Sequence, residues 1–344
     1  MGIYEDMWKQ IVMQKKCDYS LESLGETLQI IEGEEVWRED FEVTSSEGHV
    51  LQCSLYKPLD FKPFPGTPIS NVIVQPPNLS STTNPTILNV LTPNLSTPQP
   101  LSSPPPQPAM DLVVYFHARG GARIEGLFLV KTLLPRCLVL LFDFAGSGHS
   151  GGDFITLGLR ESIDAHMVLS HLKSRYPIRK IGIWGRSMGA VTAILYAEQH
   201  PEMPLAALIL DSPFSSYKDM IFDIIRSKYS VPKCFIKAGA GIVNSTIKQR
   251  TGADLTRLKP IKSIKNVHAP IFMMVGISDI IARPDRVKDL YNAAASEFKE
   301  FHLFPGEHAS SRGQKVNVTA LYFLLRQLTP DPVDAFIKRN VLEQ

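Results

Sequence analysis

The sequence predicts an α/β protein with a mostly parallel, eight-stranded sheet that helices cover on both faces. Short apolar runs of strand length alternate along the chain with longer segments in which apolar residues have helical spacing. Hydrophobic residues make up 44% of the 344 residues, which is enough for the large core of such a sheet. A Gly-x-Ser-x-Gly sequence at residues 185–189 lies between one such run and one helical segment.

The elements follow one another in a regular order. An antiparallel hairpin is predicted first, with a turn at Glu47-Gly48 and strands at residues 40–44 and 49–56. Six apolar runs then predict parallel strands, at residues 112–116, 138–142, 180–184, 207–210, 271–275 and 301–304. The helices between them are predicted at about residues 122–134, 157–176, 190–197, 284–295 and 316–328.

We divide the chain into a helical, peripheral N-terminal segment (1–39), an α/β domain (40–330) and a C-terminal tail (331–344). Residues 63–110 carry no charge and are rich in Pro, Ser, Thr and Asn, a composition that cannot form a packed core. We therefore predict a disordered insertion there. It precedes the first parallel strand, so we expect it opposite the strand carboxyl ends, where ligands bind.

A second interruption, residues 214–265, is predicted to form a basic helical cap over the site. It contains eleven Lys or Arg and three Asp, and Met220, Ile221, Ile224 and Ile225 have helical spacing. This charge favours an anionic membrane surface or a substrate that carries phosphate or carboxylate. The simpler interpretation is a solvated cap surface.

Composition and spacing exclude several classes of function. The net charge of +2 gives no indication of nucleic-acid binding. The four cysteines include no C-x-x-C pair, so neither a zinc site nor a disulfide framework is predicted. We find no secretory signal and no apolar stretch of the roughly 18 residues that a membrane span needs. We therefore predict a cytoplasmic protein whose N-terminal segment can rest on a membrane surface.

Residues 146–151 match the G-x-G-x-x-G pattern of dinucleotide-binding proteins. That motif requires a helix to begin at its third glycine, whereas seven residues, 152–158, intervene here before the next helical segment. We predict no nucleotide cofactor, and no metal or organic cofactor of another kind.

The Gly-x-Ser-x-Gly sequence is typical of a nucleophile elbow, a sharp strand-to-helix turn that exposes the serine hydroxyl. Larger residues in place of its glycines would collide with the strand and the helix. The sequence therefore predicts Ser187 as a nucleophile and the Met188 N–H as a donor to the oxyanion. The second donor is predicted in the loop at residues 117–121, with the Arg119 N–H as first choice and Ala118 as second.

A serine nucleophile needs a base beside it and an acid that orients the base. His308 follows the predicted strand at residues 301–304, and Asp279 follows the strand at residues 271–275. Both loops open at the edge of the sheet where Ser187 is expected, and the order Ser, Asp, His suits this architecture. Asp211, at the end of the strand after the elbow helix, is the alternative acid.

These motifs resemble those of α/β-hydrolases of the serine-aminopeptidase-like (Hydrolase-4) group, close to the monoglyceride lipases and acyl esterases. The matching segments are residues 117–121, 143–148, 185–190, 211–214, 276–279 and 305–308. The resemblance implies an α/β-hydrolase fold with Ser187 as nucleophile, Asp279 as acid and His308 as base. The chain departs from the family at Ala118, where the family has glycine, and a positive φ there would strain the loop.

The leading prediction is a serine hydrolase that cleaves carboxylic ester or thioester bonds of acyl or lipid-like small molecules through an acyl-enzyme on Ser187. A serine amidase or aminopeptidase is the second interpretation. The third is a non-catalytic scaffold of the same fold that binds protein partners through the Pro-rich insertion.

Overall fold

The computed structural model describes residues 8–65, 67, 108–228 and 233–328. These residues include β1 (Leu28–Ile31), β2 (Glu34–Thr44), β3 (Val50–Pro58), β4 (Met110–Phe116), β5 (Leu138–Phe142), β6 (Ile178–Arg186), β7 (Leu205–Asp211), β8 (Ile271–Gly276) and β9 (Lys299–Phe304). They form one sheet in the order β1-β2-β3-β5-β4-β6-β7-β8-β9. Pairing is antiparallel from β1 to β5 and parallel from β5 to β9. The α/β-hydrolase fold and its mostly parallel sheet are confirmed.

The described sheet has one strand more than the eight that we predicted. β1 pairs with β2 through a two-residue turn, Glu32-Gly33, in which φ is 52° and 84°. Positive φ at both positions defines a type I′ turn, and Glu32 is not one of its usual residues. The N-terminal segment (1–39), which we predicted as helical and peripheral, has short helices at residues 8–12 and 21–24 and strands from residue 28 onward. Its strands belong to the sheet, and Trp8 and Val12 are buried in the main core.

The described helices are α1 (residues 8–12), α2 (Leu127–Leu133), α3 (Leu159–Arg175), α4 (Met188–Gln199), α5 (Tyr217–Lys228), α6 (Lys233–Thr251), α7 (Pro260–Ser263), α8 (Pro284–Ala293) and α9 (Gln314–Leu328). α5, α6 and α7 lie within the predicted cap, residues 214–265. None of the helices in the described ranges has both the length and the apolar content that crossing a membrane requires. Most of the predicted insertion (63–110) and the whole predicted tail (331–344) lie outside the described residues.

The central strands β4 to β8 are buried on both faces along most of their length, as their near-continuous apolar sequences require. In β4, Val114 and Phe116 belong to the core that also contains residues of α3, α4 and α8. Val113 and Tyr115 point to the opposite core, which contains residues of α2 and α9. The two-residue alternation of a strand thus divides the core into two layers. Because β4 and β6 to β9 are parallel, the loops after their carboxyl ends meet at one edge.

A buried ion pair between Arg123 and Asp143 connects Tyr19 and β3 to the loops near this edge. The Arg123 side chain is 1% exposed, and its Nε donates to Tyr19 Oη (2.6 Å) and lies 3.7 Å from Asp143 Oδ2. Arg123 Nη1 also donates to Ser54 Oγ on β3 (3.1 Å). Asp143 in turn accepts hydrogen bonds from the Tyr19 hydroxyl (2.6 Å) and the His149 N–H (3.0 Å). The buried charges of Arg123 and Asp143 are therefore each stabilised by the other and by these hydrogen bonds.

Replacing Arg123 with Met is expected to lower the free energy of unfolding by about 3–5 kcal/mol, because the Asp143 carboxylate would stay buried without its cation. Arg136→Met is the matched control, since the ion pair of Arg136 with Glu32 is exposed and is worth about 1 kcal/mol or less. Urea unfolding followed by circular dichroism measures both. Equal losses in the two variants would contradict this account of the Arg123 network.

Candidate active site

Ser187 lies in the tight turn that joins β6 to α4. Its φ is 51° and its ψ is −111°, a conformation that costs about 1–3 kcal/mol in a non-glycine residue. A Cβ on Gly189 would lie 1.9 Å from the carbonyl oxygen of Phe116, and one on Gly185 would lie 2.4 Å from the Gly189 oxygen. Both positions therefore require glycine, because the neighbouring backbone atoms leave no room for a Cβ. The turn presents Ser187 beside the Met188 N–H, which has no intrahelical acceptor at the start of α4.

A chain of hydrogen bonds connects Ser187, His308 and Asp279. His308 Nε2 lies 2.8 Å from Ser187 Oγ, and His308 Nδ1 lies 2.7 Å from Asp279 Oδ2. The other oxygen of the buried Asp279 carboxylate accepts the N–H groups of Ile281 (2.9 Å) and Ala282 (2.8 Å). Asp279 is thus held by backbone donors on one side and by the imidazole on the other. The structure brings the three predicted residues together.

Asp211, the alternative acid, is engaged elsewhere. Both of its carboxylate oxygens accept hydrogen bonds of 2.8 Å from Arg312, whose side chain is buried. The same guanidinium donates to the carbonyl oxygens of His308 (3.1 Å) and Ser310. Arg312 therefore ties the loop that carries His308 to the end of β7. Arg312 was not predicted from the sequence, because a basic residue four positions after a histidine carries no recognisable signal.

His117, the first residue after β4, connects two loops at this edge. It is fully buried, and its Nε2 accepts the Phe144 N–H (3.1 Å). That contact places the ring proton on Nδ1, which donates to the Ala118 carbonyl oxygen (2.8 Å). His117 thus has a defined tautomer and supports the next residues of the loop.

Ala118 fits the loop without the strain that a positive φ would cause, because its φ is not positive. Its N–H donates to Glu125 Oε2 (3.2 Å) and is therefore already engaged. Burial, with the charge of Glu125 adding to it, raises the pKa of Tyr115 well above its usual range. The Tyr115 hydroxyl consequently stays protonated and lies 3.4 Å from the same carboxylate oxygen.

The remaining amides of this loop differ in their partners. The Gly120 N–H donates to Gln14 Oε1, and the Gly121 N–H donates to the Ala118 carbonyl oxygen (3.0 Å). The Arg119 N–H has no hydrogen-bond acceptor in the part of the chain that the structure describes. Of the two loop donors considered from the sequence, Arg119 is therefore the one that remains available.

A cavity of about 360 Å³ opens in front of Ser187 and His308. Its apolar lining comes largely from the cap and the neighbouring loops, with Leu157, Phe214, Met220, Ile221, Ile224 and Ile281. Arg119, Glu125 and Arg186 add charged groups to the lining. The arrangement can hold an apolar group next to the serine hydroxyl while polar groups remain close to the reacting atoms.

Two other features bear on cofactors. Gly151, the third glycine of the G-x-G-x-x-G pattern, precedes a loop, and α3 begins only at Leu159. His166, His200 and Glu202 could place one ligand atom each within 4.8 Å of one another. The two imidazoles are stacked 3.7 Å apart at 8°, so the lone pairs in their ring planes do not converge on a common point. We therefore assign no metal to this group.

The family model Hydrolase_4, described as serine aminopeptidase S33, matches residues 136–252 of this chain. The uncharacterized protein YqkD of Bacillus subtilis is 30% identical over 174 residues, which cover 50% of this chain and 56% of YqkD. The α/β hydrolase domain-containing protein WAV2 of Arabidopsis thaliana is 28% identical over 222 residues, which cover 62% of this chain and 69% of WAV2. The match to YqkD thus spans little more than half of that protein.

The Pyrococcus furiosus esterase Pf2001 has a similar structure, with a TM-score of 0.55 and 18% sequence identity. The superposition covers 95% of this chain and 97% of the esterase. At this identity the likeness concerns the fold. It agrees with the fold that the sequence motifs predicted.

Proposed function

We propose that this protein is a serine hydrolase that cleaves carboxylic ester or thioester bonds of acyl substrates. The observation that carries the proposal is the hydrogen-bonded series Ser187, His308 and Asp279 beside a largely apolar cavity. A buried carboxylate, an imidazole and a serine hydroxyl in this order are the groups that nucleophilic acyl transfer requires.

In the proposed mechanism Ser187 Oγ attacks the acyl carbonyl carbon while its proton passes to His308 Nε2. The Asp279 carboxylate keeps the imidazole in the required tautomer and stabilises the imidazolium that forms. The negative oxygen of the tetrahedral intermediate accepts hydrogen bonds from the N–H groups of Met188 and Arg119. The proton on His308 then goes to the departing alcohol or thiol, and the acyl group remains on Ser187.

Hydrolysis of this ester of Ser187 uses the same groups a second time. His308 takes a proton from water, which attacks the acyl carbon, and then returns the proton to Ser187 Oγ as the carboxylic acid leaves. In each step one proton passes between His308 Nε2 and an oxygen or sulfur atom. That atom belongs to Ser187, to the substrate or to water.

The lining of the cavity favours an acyl ester over a peptide with a free amino terminus. Such a peptide needs a carboxylate that pairs with its ammonium group. Among the described lining residues only Glu125 carries a carboxylate, and it accepts the Ala118 N–H. The cap side chains that line the cavity, Phe214, Met220, Ile221 and Ile224, are apolar. The predicted cytoplasmic location, the membrane-surface contact and the binding of protein partners through residues 63–110 remain predictions.

The purified protein is expected to hydrolyse p-nitrophenyl esters, with a kcat/KM about 10³-fold or more above that of Ser187→Ala, because that variant lacks the nucleophile. Initial rates of nitrophenol release measure this, with the matching p-nitroanilides as the amide series. Ser174→Ala, which changes an exposed serine on α3, serves as the control and should match the wild type. Equal rates in the wild type and Ser187→Ala, or faster cleavage of the anilides, would contradict the proposal.

Asp279→Asn is expected to lower kcat for the same esters by about 10³-fold or more, since the amide no longer holds His308 in the productive tautomer. Asp211→Asn should instead lower the free energy of unfolding by about 3–5 kcal/mol, because Arg312 would keep a buried charge without its carboxylate. Ester kinetics on folded protein and urea unfolding separate the two effects. A larger loss of kcat in Asp211→Asn than in Asp279→Asn would reverse the assignment of the acid.

A further inference from the structure

Residues 8–16, which we call the N-terminal strap, run along the loop that carries Arg119. The Arg119 side chain donates to the backbone carbonyl oxygens of Ile11 (3.2 Å) and Gln10. The Gln14 side chain accepts the Gly120 N–H and donates to Ser147 Oγ (2.9 Å). Hydrogen bonds from both the side chain and the backbone of this loop therefore end on the strap.

Other contacts fix the strap on the body of the protein. The Val12 carbonyl oxygen accepts the Ile155 N–H (2.8 Å), and Lys16 Nζ donates to the Ser150 carbonyl oxygen (2.6 Å). Val12 and Trp8 are buried in the main core, and the Arg250 guanidinium of α6 lies 5.9 Å from the Trp8 ring. The strap thus contacts the loop after β4, the loop after β5 and the cap.

The strap also forms part of the cavity lining, to which it contributes Gln10 and Ile11. The half-buried Ile11 lies in this lining together with Met220, Ile221 and Ile224 of α5. The Ile11 side chain therefore limits the space that the cavity offers to an apolar group of the substrate. A change in the size of this side chain therefore changes which groups fit.

Gln14 contacts the loop after β4, whose backbone is conformationally free at Gly120. Gly120 has a φ of 78°, and its N–H directly follows the Arg119 residue whose own N–H remains available. Backbone donors stabilise an oxyanion only when they are already oriented toward it. An acceptor that fixes the Gly120 N–H restricts the rotation of the neighbouring peptide groups, and so helps to keep the Arg119 N–H in place.

We propose that the N-terminal strap is part of the active site, where Ile11 determines the accepted acyl-chain length and Gln14 positions the oxyanion loop. This inference rests on the proposed ester hydrolysis. It assigns Ile11 to specificity and Gln14 to positioning, and it gives no residue of the strap a direct part in the chemistry.

The test of Ile11 is a profile of kcat/KM for p-nitrophenyl esters with acyl chains from two to sixteen carbons, measured on the full chain. Ile11→Ala should shift the optimum to longer chains and Ile11→Trp to shorter ones. The ratio of long-chain to short-chain kcat/KM is expected to change by about tenfold in opposite directions. Met13→Ala is the matched control, because Met13 lies on the strap, is 36% exposed and does not line the cavity. Should Ile11→Trp fail to fold, Ile11→Phe takes its place.

Gln14→Met keeps the length of the side chain and removes both of its hydrogen bonds. It is expected to lower kcat about tenfold with KM for the preferred ester unchanged, because the loop contact acts on the transition state. Lys15→Met, at an exposed neighbouring position, should leave both constants unchanged. Thermal unfolding of each variant is recorded beside the kinetics, since a purely structural role would lower Tm and leave kcat as it was.

The possible outcomes separate this inference from the function on which it rests. A wild-type protein that cleaves no ester of the series contradicts the proposed function and this inference with it. An active wild type with the same chain-length profile in both Ile11 variants shows that the strap does not set specificity. An unchanged kcat in Gln14→Met shows that Gln14 does not position the loop.

Discussion

The positive φ of Ser187 is the constraint on which the rest of the site depends. The turn between β6 and α4 places the serine hydroxyl at the open edge of the sheet. To form this turn, the backbone must pass unusually close to neighbouring backbone atoms. A Cβ on Gly189 would collide with the Phe116 carbonyl oxygen, and a Cβ on Gly185 would collide with the Gly189 carbonyl oxygen. The contacts that force glycine at these positions come from Phe116 at the end of β4 and from the first turn of α4, both of which are buried. The core of the sheet thus maintains a conformation that an isolated segment would not adopt.

The same parallel sheet collects the other groups around that turn. Asp279 and His308 follow β8 and β9, and Arg119 follows β4, so three separate loops reach Ser187 at one edge. Loops alone would hold such groups loosely. Here Arg312 joins the His308 loop to β7, and two backbone N–H groups fix Asp279. The geometry at Ser187 is therefore supported by contacts between loops as well as by the strands.

Much of this arrangement could be predicted from local patterns. Ser187, Asp279 and His308 each follow an apolar run of strand length, and parallel strands bring such positions to a common edge. What escaped prediction depends on contacts between distant residues. Arg312 meets Asp211 across about a hundred residues, and Gln14 meets Gly120 across a similar separation. The hairpin of β1 escaped because Glu32 adopts a positive φ that favours other residues. The strap residues Trp8 and Val12 are buried by loops and helices far along the chain, which no local periodicity reveals.

The central claim is that Ser187 is an activated nucleophile. It is tested most directly by incubating the purified protein with a fluorophosphonate, digesting it and locating the adduct by mass spectrometry. We expect one phosphonylated serine, in the peptide that contains Ser187, and no adduct in Ser187→Ala. Folded wild-type protein that remains unlabelled, or that carries the adduct on a different serine, would contradict the account.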